Sequence, residues 1–183
     1  MSVENENLIR IQRISRRIQR VLWLALAIPP LAVSWYWLFY NDLPPNAQAA
    51  ARLDILIVGP VPALSRLAAF GISMASAAIS MWGVYVLIRL FRLYESGRIF
   101  CAENVACFGT IGRVLIAQAL ANLLMVPMLS VVLSLHNPAG QKQLAFSFGS
   151  GSIFLFLAGC VVLVIAAVME EGRKLEEDRR LTI

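Results

Sequence analysis

Long runs without charge alternate with short charged segments along this chain, and that rhythm predicts its architecture. Four apolar stretches, at residues 21–40, 67–88, 114–135 and 153–169, are long enough to cross a bilayer. A crossing takes about 20 predominantly apolar residues, because a helix rises about 1.5 Å per residue through a hydrocarbon core of about 30 Å. The expected fold is all-α: an integral membrane four-helix bundle formed by residues 1–183 as one transmembrane domain. An amphipathic helix at 8–20, a loop at 89–113 and a tail at 170–183 flank the spans.

Each span has its own marks. The first carries Pro29-Pro30 at its middle, which in lipid predicts a kink rather than a stop, since neighbouring groups satisfy the freed carbonyls. Trp35, Tyr36, Trp37 and Tyr40 gather at its far end, as amphipathic rings do at the headgroup level. In the second span Ala69, Ser73, Ser76, Ser80 and Gly83 recur at intervals of four, three, four and three. Such a seam lets another backbone approach closely, which is how helices associate where lipid removes the hydrophobic drive. It is the expected main packing seam. The third span holds Gln118 and Asn122 one turn apart and a kinking Pro127. These are the only amides inside a span, and they predict an interhelical packing clamp. The fourth is the shortest at 17 residues, with Ala158-Gly159-Cys160 near its middle and Ser150, Gly151 and Ser152 able to extend it.

Composition agrees with lipid as the solvent. The mean hydropathy is +0.72, with 59% hydrophobic and 15% charged residues, where a soluble domain has about 45–50% and about 25%. The net charge of +5 gathers at the ends of apolar runs rather than in a patch interleaved with aromatics, so no direct nucleic-acid binding is expected. Thirteen Lys and Arg flank the spans on the side of the termini and the 89–113 loop, against three (Arg52, Arg66 and Lys142) on the other. The excess of positive charge predicts both termini in the cytoplasm.

Ahead of the first span, Leu8, Ile11, Ile14, Ile18, Val21 and Leu22 share one helical side. Arg10, Arg13, Arg16, Arg17 and Arg20 share the other, the pattern of a basic helix lying on an anionic leaflet. Ser15-Arg16-Arg17 imitates a twin-arginine export signal and Ala47-Gln48-Ala49 a signal-peptidase site. The apolar run between them has 20 residues, followed by Asp42-Leu43-Pro44-Pro45. A cleaved signal has an apolar region of about 7–15 residues, so an uncleaved span is expected.

Chemistry is sparse. No Asp, Glu, Lys or His sits centrally in any span, which removes the usual ion or proton relay. No nucleophile–base pair and no metal-ligand spacing is present, so no catalytic residue, cofactor or metal is expected and the chain reads as a non-enzyme. His136 lies beside the turn signal Asn137-Pro138 and reads as solvated. Cys101 and Cys107 lie at juxtamembrane positions, where acylation can take place but unmodified thiols are the expectation.

The loop is richer. Gly97 predicts a helix stop, Phe100 precedes a new helix with Cys101 at its cap, and Glu103 and Asn104 occupy the first turn. Val105, Phe108 and Ile111 recur every three residues, predicting a segment that skims the interface until Gly112-Arg113 turns it into the third span. Arg89 and Arg92 share a face within reach of Glu95. Arginines at a membrane boundary ordinarily snorkel. Together, Arg89, Arg92, Glu95, Gly97, Phe100, Asn104 and Arg113 form the candidate cytoplasmic interaction surface, suited to lipid phosphate or an acidic partner. In the tail, Glu170 with Lys174 and Glu176 with Arg180 are favourable i,i+4 pairs. The tail ends in the apolar Leu181-Thr182-Ile183.

The residues from Leu93 to Phe100, then Glu103-Asn104-Val105 and Ile111-Gly112, and the ending from Glu171 to Leu175 through Asp178 to Ile183, resemble the domain of unknown function 2975 (DUF2975) family. Cys101 departs from the Ser or Thr usual at that cap. The resemblance implies a four-span bacterial cytoplasmic (inner) membrane protein without established activity. It also implies a cytosolic helix-turn-helix transcriptional regulator as partner. The function expected is a non-enzymatic scaffold or signalling protein in contact with the lipid bilayer and with that regulator. The alternative is a small transporter or channel subunit acting as a homo-oligomer.

Overall fold

The computed structural model describes residues 2–44, 48, 57, 59–97, 101–138, 140–142, 144–147 and 149–181, without the side chains of 2–14, 176 and 178–181. Among them stand four long helices: α1 (Ser2–Leu38), α2 (Ala63–Glu95), α3 (Ala102–Ser134) and α4 (Ser150–Leu181). A 3₁₀ turn at Tyr40–Asp42 follows α1. All four are long and apolar enough to span a membrane. At 32 to 37 residues, each measures about 48–55 Å and outruns a hydrocarbon core of about 30 Å.

Successive helices run antiparallel. Trp37 meets Ser73 while Arg16 meets Glu95, so α2 returns along α1. Gln118 meets Ser76 and Ser80, and a Cβ on Gly83 would touch Val114, so α3 returns along α2. Gly112 faces Leu163, and Gly159 faces Ile116, so α4 returns along α3. The charged helix ends, 2–20, 89–95, 102–113 and 170–181, therefore project together at one end.

The expected bundle is opened into a row. Extensive packing joins α1 to α2, α2 to α3 and α3 to α4. The apolar windows of the outer helices α1 and α4 are only 6% and 11% buried, against 22% and 28% for α2 and α3. Leu24, Leu31, Phe154, Val164 and Val168 are each more than 60% exposed. In lipid that exposure costs nothing, because the tails are as apolar as the side chains.

Two apolar clusters lie towards the opposite ends of the helices. At one end Trp37, Tyr40, Val61, Ala69, Val126, Leu129 and Leu133 bury one another. Trp37 and Tyr40 stack with ring centroids 5.1 Å apart, so these two rings, expected at the headgroup level, are core; Trp35 alone of the group is mostly exposed. Asn41 seals this end by pairing its amide with both the N–H and the carbonyl of Val61. At the other end Val86, Leu90 and Cys107 form the second cluster, covered by Leu87, Leu93, Tyr94, Phe108 and Ile111.

That second cluster corrects the reading of residues 89–113 as a loop. Phe108 and Ile111 pack on α2 instead of skimming a membrane surface, and α3 continues through Gly112 and Arg113 without a turn. Only the short connection after Gly97 separates α2 from α3. Gly97 closes α2 as expected, with φ +76° and its N–H bonded to the Tyr94 carbonyl. Residues 8–20 likewise form no separate surface helix, since α1 runs unbroken from Ser2 to Leu38. The side chains that define its two sides before Ser15 lie outside the described ones.

Candidate functional site at the charged end

The hairpin formed by the end of α2 and the start of α3 is held by its own core, and among the described side chains the Glu95 carboxylate ties α1 to it. Glu95 Oε1 accepts the Arg16 Nε–H at 2.9 Å and Oε2 accepts the Gln19 amide at 3.2 Å. Both oxygens are thus committed to α1, and Arg89 and Arg92, expected near Glu95, do not hold it. Arg16 and Gln19 are the residues that sequence reasoning missed here. Their i,i+3 spacing was the available signal, but nothing in the chain says which distant carboxylate they meet.

The other residues of the predicted surface differ in exposure. Arg89, Arg92 and Arg113 are all exposed, as are Arg17 and Arg20 on α1. Arg113 turns its guanidinium back along its own helix, donating to the Gly109 carbonyl at 3.1 Å and to the Thr110 hydroxyl at 3.4 Å. This is the snorkelling geometry of a long cation at the edge of an apolar span. Asn104 is fully buried in the first turn of α3, its N–H bonded to the Cys101 carbonyl at 2.9 Å. It belongs to the hairpin's interior and offers a partner nothing. Phe100 lies outside the described residues.

On α4 the charged end is organised around Arg173. Its guanidinium grips Glu170 with two nitrogens, at 2.9 and 3.1 Å, and reaches Glu177 at 2.8 Å. Lys174 lies 3.9 Å from Glu171 rather than against Glu170. Glu176 and Arg180 fall outside the described side chains.

Deeper in the row a polar network joins α2 to α3. The Gln118 amide donates to Ser76 Oγ and to Asn122 Oδ1, both at 2.9 Å, and its oxygen accepts from Ser80 Oγ at 2.9 Å. Three of the bonds Gln118 can form are therefore made within the protein. Ser73 accepts the Trp37 indole N–H at 3.0 Å, so the seam on α2 serves α1 as well as α3. The same serines floor a cleft of about 570 Å³ walled by Val33, Tyr36 and Trp37 of α1 and by Met125 and Leu129 of α3.

Among the described residues, no group of three His, Cys, Asp or Glu is placed to hold a metal. Cys101, Cys107 and Cys160 form no disulfide among the described residues, and Cys107 is buried in the hairpin's cluster. The sequence profile of the proteins of unknown function called DUF2975 matches residues 47–183. The chain belongs to this family. The match covers α2, α3 and α4 and leaves α1 outside it, so the Glu95 clasp joins the DUF2975 segment to the helix that precedes it. Comparison with curated proteins and with solved structures gave no match.

Proposed function

We propose that this DUF2975 protein is a non-enzymatic, multi-pass protein of the bacterial cytoplasmic membrane, with both termini inside, that docks a cytosolic regulator on its projecting helix ends. The observation that carries the reading is the hairpin. Its core of Val86, Leu90 and Cys107 packs the end of α2 against the start of α3 and leaves Ser96 and Gly97 exposed. A segment serving only as a connection between spans needs no core of its own. The tail of α4 adds exposed Lys174, Leu175 and Glu177 at the same end, a mixture of charge and apolar surface suited to a protein partner. The 13 basic residues flanking this side support its placement in the cytoplasm. A transport pathway would draw on Gln118 and Asn122, but they are occupied with each other and with the serines of α2.

Affinity purification from native membranes tests the proposal. A cytosolic DNA-binding protein should accompany the wild type and be lost when residues 170–183 are deleted or Gly97 is replaced by Trp. A partner retained by both variants, or none with the wild type, overturns it. A reporter fused after Ile183 should be active only in the cytoplasm.

A further inference from the structure

Among the described residues, no other helix covers one face of α2. Trp82 and Tyr85 are 61% and 54% exposed, and Arg89 and Arg92 are exposed beyond them. At about 100° per residue these four positions fall within one narrow stripe. Ser73, Ser76 and Ser80 occupy the opposite side, where α2 meets α1 and α3. The stripe thus runs from the apolar span into the charged end, with rings first and guanidiniums after.

The spacing along it matches the layers of a leaflet. Tyr85 and Arg89 are four residues apart, about 6 Å of rise, close to the roughly 5–7 Å that one headgroup layer adds to the hydrocarbon core. Indole and phenol rings favour that boundary, and arginines just beyond it meet the phosphates. Among the described residues Glu95 is held by Arg16 and Gln19, and no salt bridge joins Arg89 or Arg92 to an acid; Glu103 is the hairpin's other carboxylate, acting with Arg89 on Cys107. Two exposed guanidiniums without a salt bridge, beside two exposed rings, are complementary to a negatively charged amphiphile.

We infer that this face is a binding site for an anionic phospholipid, with the phosphate held by Arg89 and Arg92 and the glycerol region resting on Tyr85 and Trp82. Arginine is suited to the task because its planar fork matches phosphate oxygens in pairs. The site is separate from the hairpin tip proposed for docking and does not depend on it.

Trp82 provides the test. The wild type is reconstituted in phosphatidylcholine vesicles containing either dibrominated phosphatidylglycerol or dibrominated phosphatidylcholine. The quenching of Trp82 is obtained by difference from Trp82→Phe. The anionic lipid should be preferred by roughly thirtyfold, the factor that follows from about 1 kcal/mol for each of two arginines. Arg89→Gln/Arg92→Gln should abolish the preference, Arg89→Lys/Arg92→Lys should weaken it only in part, and Lys142→Gln at the opposite end should leave it intact. Equal quenching by both lipids in the wild type overturns the inference, as does a preference that survives the double Gln replacement. Loss of the preference in millimolar inorganic phosphate but not in sodium chloride of equal ionic strength would assign the arginines to a soluble anion, and likewise overturns it.

Discussion

Gly112 of α3 and Gly159 of α4 meet backbone to backbone. A Cβ on Gly112 would lie 3.0 Å from the Gly159 carbonyl oxygen and 2.7 Å from Leu163 Cγ. A Cβ on Gly159 would lie 2.9 Å from the Gly112 carbonyl oxygen and 2.7 Å from Ile116 Cγ1. Neither carbonyl belongs to a side chain that can swing away, so the crossing exists only because both positions lack a Cβ. Small residues are how helices pack closely in lipid.

Gly112→Ala should therefore destabilise the α3–α4 pair by about 1–3 kcal/mol, the usual cost of an overpacked site, and Gly159→Ala similarly. Thermal unfolding in detergent micelles measures it. Gly172→Ala is the control: its Cβ meets nothing within 4 Å, and loss of glycine's backbone freedom should leave stability equal or raise it by up to about 1 kcal/mol.

Gln118→Leu removes three side-chain hydrogen bonds and strands Ser76, Ser80 and Asn122. Bonds between membrane helices average about 0.6 kcal/mol, so the variant should lose roughly 1–2 kcal/mol. Asn122→Leu removes one bond and should lose about a third as much. A double-mutant cycle between Gln118→Leu and Ser76→Ala should show positive coupling; strict additivity would mean that the bond does not hold α2 to α3.

The Glu95 clasp should matter more for the position of α1 than for stability. Arg16 is 71% exposed, and exposed pairs are worth about 0–1 kcal/mol. Glu95→Ala should leave the unfolding midpoint nearly unchanged and yet speed tryptic cleavage after Arg16 and Arg20, because the start of α1 loses its contact with α2. Unchanged cleavage would show that the apolar part of α1 is enough to hold it.

Thiol labelling separates the hairpin from a surface loop. Cys107 is 3% exposed beneath Leu90, whereas Cys101 sits at the start of α3 with partial exposure. A water-soluble maleimide should modify Cys101 at least tenfold faster than Cys107. The reagent should reach Cys101 in inverted vesicles and not in intact cells. A fast Cys107 would mean that residues 102–113 lie apart from α2.

Much of the site was legible where a local rule carried it. The interval of four and three between Ala69, Ser73, Ser76, Ser80 and Gly83 is a property of one helix, and all the seam's serines meet neighbouring helices. Gly97 closes α2 because positive φ is cheap only for glycine. Where reading failed, the missing fact was always a partner far along the chain. Phe108 and Ile111 have the same spacing whether they face lipid headgroups or Leu90, and only the returning α2 decides. Trp37 and Tyr40 have the composition of an interface belt, but Val61 and residues of α2 and α3 bury them.

The sequence by itself determined how many long helices there are, where their apolar faces begin, and at which end the positive charge collects, because each of these follows from hydropathy and charge within a single segment. The tertiary structure alone decided that the helices stand in a row, that Gly112 is a crossing point rather than a corner, and that Glu95 answers Arg16 across 79 positions of chain. Such pairings depend on how separate helices dock, and in lipid that choice rests on close fit and a few polar bonds, which no one-dimensional pattern encodes.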